Sequence, residues 1–201
     1  MKIYKDIEQL TPEWFAVKCG KVSASHMSAV MAKGKGKTRH SYMMKLLAER
    51  LSGITQESYS NGSMQWGIDT EPQAREAYEM ANLVKVEQVG FVEINDYLGY
   101  SPDGFVGTDG GLEIKCPDSA THLKYILENR MVTDYSRQVQ STLWMSKREW
   151  WDFVSFDPRI QLKPIWSIRV QRDEAKIKEI AIETELFIDE LKELLTKIKG
   201  E

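Results

Sequence analysis

A change in the spacing of apolar residues, midway along the chain, constrains the fold more than any other feature. Residues 84–94 (VKVEQVGFVEI) alternate like a β-strand and are rich in valine. Residues 97–107 (YLGYSPDGFVG) and 111–116 (GLEIKC) continue as strands, and the pair Asp109-Gly110 between them favours a tight hairpin turn. The sequence therefore predicts a meander of β-strands in the middle of the chain.

Helical patterns lie on both sides of this meander. Apolar spacing and capping residues predict helices at 11–17, 23–32, 41–53, 69–82, 119–129 and 133–147. Two more strands, at 150–157 and 165–171, precede a long C-terminal helix from about 173 to 199. The apolar positions of that last helix fit either a coiled-coil seam or a face packed within the chain, and we expect the latter. We predict a single α/β domain, 1–201, with a mixed central sheet of about five strands flanked by helices.

The composition excludes several classes of protein. Six Trp, eight Tyr and six Phe exclude a disordered chain, and no apolar run is long enough to span a membrane. The N-terminal stretch MKIYKDIEQL lacks the layout of a signal peptide, and the two cysteines form no CxxC pair. We therefore expect a cytoplasmic protein without a membrane partner. The net charge of −3 argues against a surface that is basic throughout, but it is compatible with a local basic groove.

Two acids and a lysine stand out in SPDGFVGTDGGLEIKCP, residues 101–117. Side chains alternate along a strand, so Glu113 and Lys115 share one face while Ile114 points to the other. A hairpin would bring Asp103 alongside Glu113 and so form an Asp-Glu-Lys cluster (Asp103, Glu113 and Lys115). Two carboxylates can hold Mg²⁺ together with waters and a phosphate. The lysine could orient the attacking water, or deprotonate it if its pKa were lowered. The spacing alone fits a hairpin with a surface salt bridge equally well.

Five sequence motifs follow one another along the chain. They are EWFAVKCGKVSAS (13–25), QWGIDTEPQARE (65–76), the segment 101–117, SRQVQSTLWMS (136–146) and WWDFVSFDPR (150–159). In type and order they resemble the motifs of the bacteriophage lambda exonuclease (YqaJ-type) family of PD-(D/E)xK nucleases. The resemblance runs from about residue 13 to 174 and implies a restriction-endonuclease-like fold.

The resemblance implies a role for each residue of the cluster. Asp103 and Glu113 would be metal ligands, with the backbone carbonyl of Ile114 close to the metal. Lys115 would be the catalytic lysine that acts on the nucleophilic water. Glu71 would be an additional acid that contacts a metal directly or through water; without the resemblance it is a first-turn glutamate favoured by the helix macrodipole. The implied cofactor is Mg²⁺, with Mn²⁺ as a substitute.

A pocket for the 5′-phosphate of the substrate is also implied. By position, Ser25, Ser101 and Gln138 would line it, with Lys18 where an arginine is usual. Arginine binds a phosphate through two N–H groups whereas lysine supplies a point charge, so we expect a weaker dependence on the 5′-phosphate. From residue patterns alone, Ser25 also fits a helix cap and Gln138 a solvated helix position.

The most basic stretch of the chain is KGKGKTRH, residues 33–40, which contains Lys33, Lys35, Lys37 and Arg39. Its glycines would allow it to close over a phosphate backbone. A solvated loop explains the same pattern, but the resemblance favours contact with DNA.

Taken with these patterns, the resemblance implies a Mg²⁺-dependent exodeoxyribonuclease that degrades linear double-stranded DNA from its ends, 5′ to 3′, and leaves a 3′ single strand. The resemblance implies a phage or prophage enzyme of the bacterial cytoplasm that acts in recombination by strand annealing. It also implies a homo-oligomer, a ring-shaped trimer, and a single-strand-annealing recombinase as partner. Two alternatives stay open: a structure- or sequence-specific endonuclease on the same fold, and a catalytically inactive DNA-binding module.

Overall fold

The structure is a computed structural model that describes residues 1–32, 37–56 and 62–200. Its helices are α1 (Pro12–Lys18), α2 (Met27–Val30), α3 (Lys37–Ser52), α4 (Gly62–Asn82), α5 (Ser119–Glu128), α6 (Thr133–Ser146) and α7 (Glu174–Lys199). Its strands are β1 (Lys2–Tyr4), β2 (Val22–Ser23), β3 (Val86–Glu87), β4 (Phe91–Asn95), β5 (Leu98–Tyr100), β6 (Gly104–Val106), β7 (Gly110–Lys115), β8 (Trp150–Phe156) and β9 (Ile165–Gln171).

The central sheet has five strands in the order β3-β6-β7-β8-β9. β7 and β8 pair in parallel, and the other neighbours pair antiparallel. The parallel connection from β7 to β8 passes through α5 and α6, as parallel pairing requires a crossover. The predicted fold class and the mixed sheet of about five strands are confirmed. The strand that carries two residues of the Asp-Glu-Lys cluster, β7, is the middle strand of this sheet.

A second sheet, in the order β1-β4-β5-β2, was not predicted. The predicted strand 84–94 is divided between β3 in the central sheet and β4 in the second, and 97–107 is divided between β5 and β6. Gly90 lies at the first division, where an added Cβ would stand 1.9 Å from the carbonyl oxygen of Ile7. Pro102 lies at the second, and it has no amide hydrogen with which to continue a strand ladder. Alternation is the same in both sheets, so the sequence pattern could not show the division.

The hairpin turn also differs from the prediction. Val106 pairs with Gly110, and Gly107 supplies the positive φ (+56°) of the connecting loop. Asp109-Gly110 is therefore not the centre of the turn, because Gly110 already belongs to β7. A glycine is required there for a different reason, since an added Cβ would lie 2.0 Å from the Trp150 ring.

Helix α4 begins at Gly62, earlier than the sequence predicted, so Pro72 lies inside the helix and not in its first turn. The additional turns are mostly exposed, and Trp66 in them lies beneath the guanidinium of Arg159, at 4.3 Å from the ring centroid. Glu71 is consequently in the middle of a long helix, and the first-turn explanation for it does not apply.

The predicted helix at 23–32 is correct only in its second part. Ser23 belongs to β2, Ala24–His26 form a 3₁₀ turn, and only Met27–Val30 are α-helical. Neither Ser23 nor Ser25 caps a helix through its side chain.

Helix α7 packs within the chain, as expected. Its apolar face joins the largest core cluster, together with side chains of α2, α3, α6 and the second sheet. The side chains that it buries there include Ile177, Ile180, Phe187 and Leu191, whereas Ile198 is 56% exposed. Among the helices described, none has both the length and the apolar character that a bilayer span needs.

Candidate active site

The Asp-Glu-Lys cluster forms at the hairpin of the central sheet. Gly104 of β6 pairs with Leu112 of β7, which places Asp103 opposite Glu113 on the neighbouring strand. On β7 itself, the Lys115 ammonium lies 2.5 Å from Glu113 Oε1. Strand alternation explains this last contact, because residues two apart share a face.

The residue between the two, Ile114, faces the other way, as predicted. Its side chain packs in a cluster with Ala74 of α4, whereas Lys115 faces the ring of Tyr135 on α6 at 5.3 Å. The Ile114 amide donates a 2.6 Å hydrogen bond to Asp103 Oδ2. This bond fixes the Asp103 carboxylate against the backbone of β7.

Helix α4 adds a third carboxylate to the site. Arg75, four residues after Glu71, donates to the Glu71 carboxylate through Nη2. The same guanidinium donates from Nε to the main-chain carbonyl of Asp103 at 3.4 Å. Arg75 therefore links Glu71 to the segment that carries Asp103. Sequence reasoning missed Arg75, although a cation at i+4 from an acid on a helix is a recognisable signal.

The three acids crowd one another electrostatically. Burial, together with the charge of Asp103, raises the pKa of Glu71 to about 7 and that of Glu113 to about 7. Burial also raises the pKa of Asp103, although the positive charge of Lys115 opposes this. Carboxyl groups in this condition are stabilised in their charged form by an additional cation between them.

Lys115 itself is held as a cation. Burial alone would lower the pKa of its ammonium, but the charges of Glu113 and Asp103 outweigh burial and raise it. The prediction that Lys115 deprotonates the water required a lowered pKa. The arrangement described here suits the other predicted role, in which the ammonium orients the attacking water.

The donor set fits a hard divalent cation. In residues 1–32, 37–56 and 62–200, no group of three or more His, Cys, Asp or Glu side chains is arranged to hold a metal alone. Asp103 and Glu113 supply the one or two carboxylates that Mg²⁺ commonly takes, with waters and a substrate phosphate as the other ligands. A metal site that the substrate phosphate completes therefore agrees with the two carboxylates present and with the lack of a group of three ligand side chains among the described residues.

A small cavity of about 180 Å³ adjoins this cluster. Its walls include all three residues of the Asp-Glu-Lys cluster. They also include all four residues predicted for the 5′-phosphate, Lys18, Ser25, Ser101 and Gln138. Residues from α1, the 3₁₀ turn, the segment after β5 and α6 thus meet at one place.

Residue patterns alone allowed a solvated helix position for Gln138 and a helix cap for Ser25. Neither side chain has that role in the structure. The Gln138 side-chain amide donates a 2.6 Å hydrogen bond to Glu113 Oε1, so it is not a solvated helix position. Ser25 Oγ lies 3.0 Å from Ser23 Oγ and 3.2 Å from Nδ1 of His26. Both side chains are thus held beside the small cavity by polar neighbours.

Trp14 contacts the other two phosphate-binding candidates, Lys18 and Ser101. The Lys18 ammonium lies 4.1 Å from the centroid of the indole ring. The indole Nε1 donates to Ser101 Oγ at 2.9 Å. Sequence reasoning assigned Trp14 no role, although its position four residues before Lys18 on α1 places both on one helix face.

The basic stretch is only partly described. Lys33 and Lys35 lie outside the described residues. α3 begins at Lys37, so Lys37 and Arg39 belong to a helix and not to a loop. The Arg39 guanidinium donates to Glu190 on α7 at 2.6 Å.

Two open clefts extend from the carboxylates. The larger, of about 770 Å³, is lined by Trp66, Tyr135 and Arg159 among others, and it reaches Glu71 and Lys115. The second, of about 400 Å³, also reaches Glu71. The acids thus lie where the small cavity and the two clefts meet.

Comparison with known proteins identifies the family. Residues 13–149 match the model of the YqaJ-like viral recombinase domain. The chain belongs to the YqaJ-like viral recombinase family. The resemblance drawn from the five motifs is therefore confirmed, and this YqaJ-family chain is a nuclease.

Solved structures agree with this assignment. The chain is similar to the alkaline exonuclease LHK-Exo from Laribacter hongkongensis at 37% identity, over 94% of this chain and 97% of that one, with a TM-score of 0.88. LHK-Exo in complex with dAMP matches at the same identity and coverage, with a TM-score of 0.89. A phage-related exonuclease from Haemophilus somnus 129PT is 18% identical over 89% of this chain and 96% of that one, and its TM-score of 0.70 shows a shared fold. No curated protein sequence matches this YqaJ-family chain.

Proposed function

We propose that this protein is a Mg²⁺-dependent exodeoxyribonuclease that acts, as one nuclease domain, on linear double-stranded DNA. It removes nucleotides from 5′ ends and leaves a 3′ single strand. The observation that carries the proposal is the small cavity, which holds the Asp-Glu-Lys cluster and the four phosphate-binding candidates together. A small cavity with cationic and hydroxyl side chains beside the cleavage site suits a terminal phosphate, which a continuous strand would not present. Similarity to a solved alkaline exonuclease supports the same reading.

The residues divide the chemistry among them. Asp103 and Glu113 would hold the cation, with the Ile114 carbonyl and Glu71 nearby. When bound, Mg²⁺ polarises the scissile phosphate and acidifies a water; Mn²⁺ would serve as a substitute. The Lys115 ammonium orients the attacking water, and the Gln138 amide holds Glu113 Oε1 in place.

The phosphate-binding residues of the small cavity would determine how many nucleotides each cleavage removes. Lys18, Ser25 and Ser101 would bind the terminal phosphate together with Gln138, which lines the same cavity and donates to Glu113. Fixing the strand end holds the first internal phosphodiester bond at the acids and so contributes to the rate through orientation. Removal of one nucleotide at a time follows from this arrangement.

Membership of the family supports a proposal for the biological role. A viral recombinase family suits a phage or prophage enzyme of the bacterial cytoplasm that prepares 3′ single strands for annealing. We propose a single-strand-annealing recombinase as its partner. We also propose a homo-oligomer, a ring-shaped trimer around DNA, in which Lys33, Lys35, Lys37 and Arg39 contact the duplex.

The decisive experiment uses a linear duplex labelled at the 5′ end of one strand and the 3′ end of the other, with a closed circle as control. We expect early release of the 5′ label with Mg²⁺, retention of the 3′ label, an intact circle, and no reaction with EDTA. A cut circle would instead establish an endonuclease. No cleavage with Mg²⁺ or Mn²⁺, together with DNA binding that needs no metal, would favour a catalytically inactive DNA-binding module.

A further inference from the structure

We propose that Trp14 is a positioning residue that prepares Ser101 and Lys18 to receive the terminal phosphate. This inference rests on the proposed function, since it concerns the phosphate-binding side of the small cavity. Trp14 lines that cavity and is only 4% exposed. It contacts two of the four phosphate-binding candidates through different parts of one indole.

The first contact is a shared hydrogen bond. Trp14 Nε1 donates to the carbonyl of Gly90 at 3.0 Å and to Ser101 Oγ at 2.9 Å. Gly90 lies just before β4 and Ser101 just after β5. The indole N–H therefore ties α1 to the second sheet at the edge of the small cavity.

This bond determines what Ser101 can do. A serine hydroxyl has a single hydrogen to donate and lone pairs with which to accept. Because Ser101 Oγ accepts from Trp14, its own hydrogen remains to be donated to another partner. A phosphate oxygen in the small cavity, which Ser101 lines, is a suitable acceptor. The indole thus turns Ser101 into a donor toward an anion.

The second contact restrains Lys18. Its ammonium lies 4.1 Å from the centroid of the Trp14 ring, an attractive arrangement of a cation and an aromatic face. Lysine is a flexible point charge, whereas an arginine fork has a preferred geometry for phosphate. The ring confines the ammonium to the wall of the small cavity. Trp14 therefore supplies part of the orientation that an arginine at this position would have by itself.

Both effects concern the strand end and not the bond that is cut. Trp14 contacts none of the acids by a hydrogen bond in the described residues. Its loss should reduce the preference for 5′-phosphate over 5′-hydroxyl ends in kcat/KM, because both the binding and the orientation of the phosphorylated end depend on it. Turnover of 5′-hydroxyl ends at saturation should stay close to that of the unmodified protein.

The experiment measures kcat and KM on two duplexes that differ only in a 5′-phosphate or a 5′-hydroxyl. Trp14→Phe keeps an aromatic ring and removes the N–H, and Trp14→Leu removes both. We expect the preference ratio to fall about threefold to tenfold for Trp14→Phe and further for Trp14→Leu. Trp14→Phe combined with Ser101→Ala should lose little more than either change alone, because the two residues act through one bond.

Trp166→Phe is the matched control. Trp166 is 7% exposed and its indole donates to Asn129 at 3.3 Å, but it does not line the small cavity. We expect its removal to lower the melting temperature and to leave the preference ratio unchanged. If Trp14→Phe does not fold, benzothienylalanine at position 14 keeps the size and shape of the side chain without its N–H.

The outcomes separate this inference from the proposed function. An unmodified protein with no preference for 5′-phosphate would overturn the phosphate-binding role of the small cavity. A clear preference that persists in the folded Trp14 variants would overturn only the role of Trp14. A loss of kcat on both duplexes alike would also overturn it, since positioning of the phosphate acts on one substrate only.

Discussion

The side-chain amide of Gln138 donates a 2.6 Å hydrogen bond to Oε1 of Glu113. One is a phosphate-binding candidate on α6, and the other is a metal-ligand candidate on β7. The oxygen that accepts this bond also lies 2.5 Å from the Lys115 ammonium. Occupancy of the phosphate side of the small cavity and of the cation site should therefore be coupled through Gln138.

Gln138→Ala tests this coupling. Loss of the donor should lower the affinity for Mg²⁺ about tenfold, as outer-shell changes at metal sites commonly do. It should also weaken the preference for 5′-phosphate ends. The measurement is a Mg²⁺ titration of turnover and of the melting temperature.

Gln140→Ala is the control, because Gln140 lies on the same helix but binds Gln171 and the amide of Asp173. It should lower the melting temperature and leave the Mg²⁺ midpoint unchanged. An unchanged midpoint in Gln138→Ala would contradict the coupling.

Lys115→Ala should abolish cleavage while DNA binding stays near normal. Removal of one preorganised donor at a reacting centre costs roughly 10²–10³-fold, so a loss of at least that order is expected in single-turnover rates. Fluorescence anisotropy with a labelled duplex in EDTA measures binding. Lys124→Ala removes an exposed ion pair with Glu128 and serves as the control with unaltered rate. Substantial residual turnover in Lys115→Ala would refute the assigned role.

Lys18→Arg should sharpen the preference for 5′-phosphorylated ends by several-fold, because a guanidinium can bind phosphate through two N–H groups. The preference is measured as kcat/KM for 5′-phosphorylated ends divided by kcat/KM for 5′-hydroxyl ends. Lys192→Arg, on α7 and paired with Asp189, is the matched control. A preference equal to that of the unmodified protein would exclude Lys18 as a ligand of the terminal phosphate.

Asp157→Asn should destabilise the fold in a pH-dependent way. Burial alone would raise the pKa of Asp157, but hydrogen bonds from Arg159 and Ser119 outweigh it and hold the pKa at about 2, below the ordinary 3.8. A lowered folded-state pKa stabilises the protein fully above about pH 4, and this contribution is lost as the pH falls from 4 to 2. We expect a loss of roughly 2 kcal/mol at neutral pH, from the size of the shift.

Urea unfolding from pH 7 to pH 2 measures this effect. The difference in unfolding free energy between the unmodified protein and Asp157→Asn should shrink below pH 4. Asp189→Asn, whose side chain is 66% exposed, should show little difference at any pH. A difference that is constant over the whole range would exclude the charged form of Asp157 as the cause.

Gly111→Ala should destabilise the central sheet. An added Cβ would lie 2.2 Å from the ring of Trp151, which is fully buried, so the core must shift at a cost of about 1–3 kcal/mol. Gly67→Ala is the opposite case, because a Cβ there meets nothing within 4 Å inside α4. Alanine should stabilise that helix by up to about 1 kcal/mol. Equal effects of the two substitutions in urea unfolding would contradict this account.

Sequence pattern was sufficient for much of the scaffold. The apolar runs of β8 and β9 and the three-and-four spacing of α7 predicted their elements within about two residues. Strand alternation also placed Glu113 and Lys115 on one face and Ile114 on the other. These properties are local, because they depend on the geometry of one element and on which of its faces is buried.

The assembly of the site was decided by packing. The contact of Trp14 with Ser101 joins residues 87 positions apart, and that of Gln138 with Glu113 joins residues 25 apart on a helix and a strand. Periodicity indicates that a face is buried but not what covers it. For the same reason it could not divide the meander between two sheets. The residue types of the site could therefore be found along the chain, whereas their meeting in one small cavity depended on contacts between distant elements.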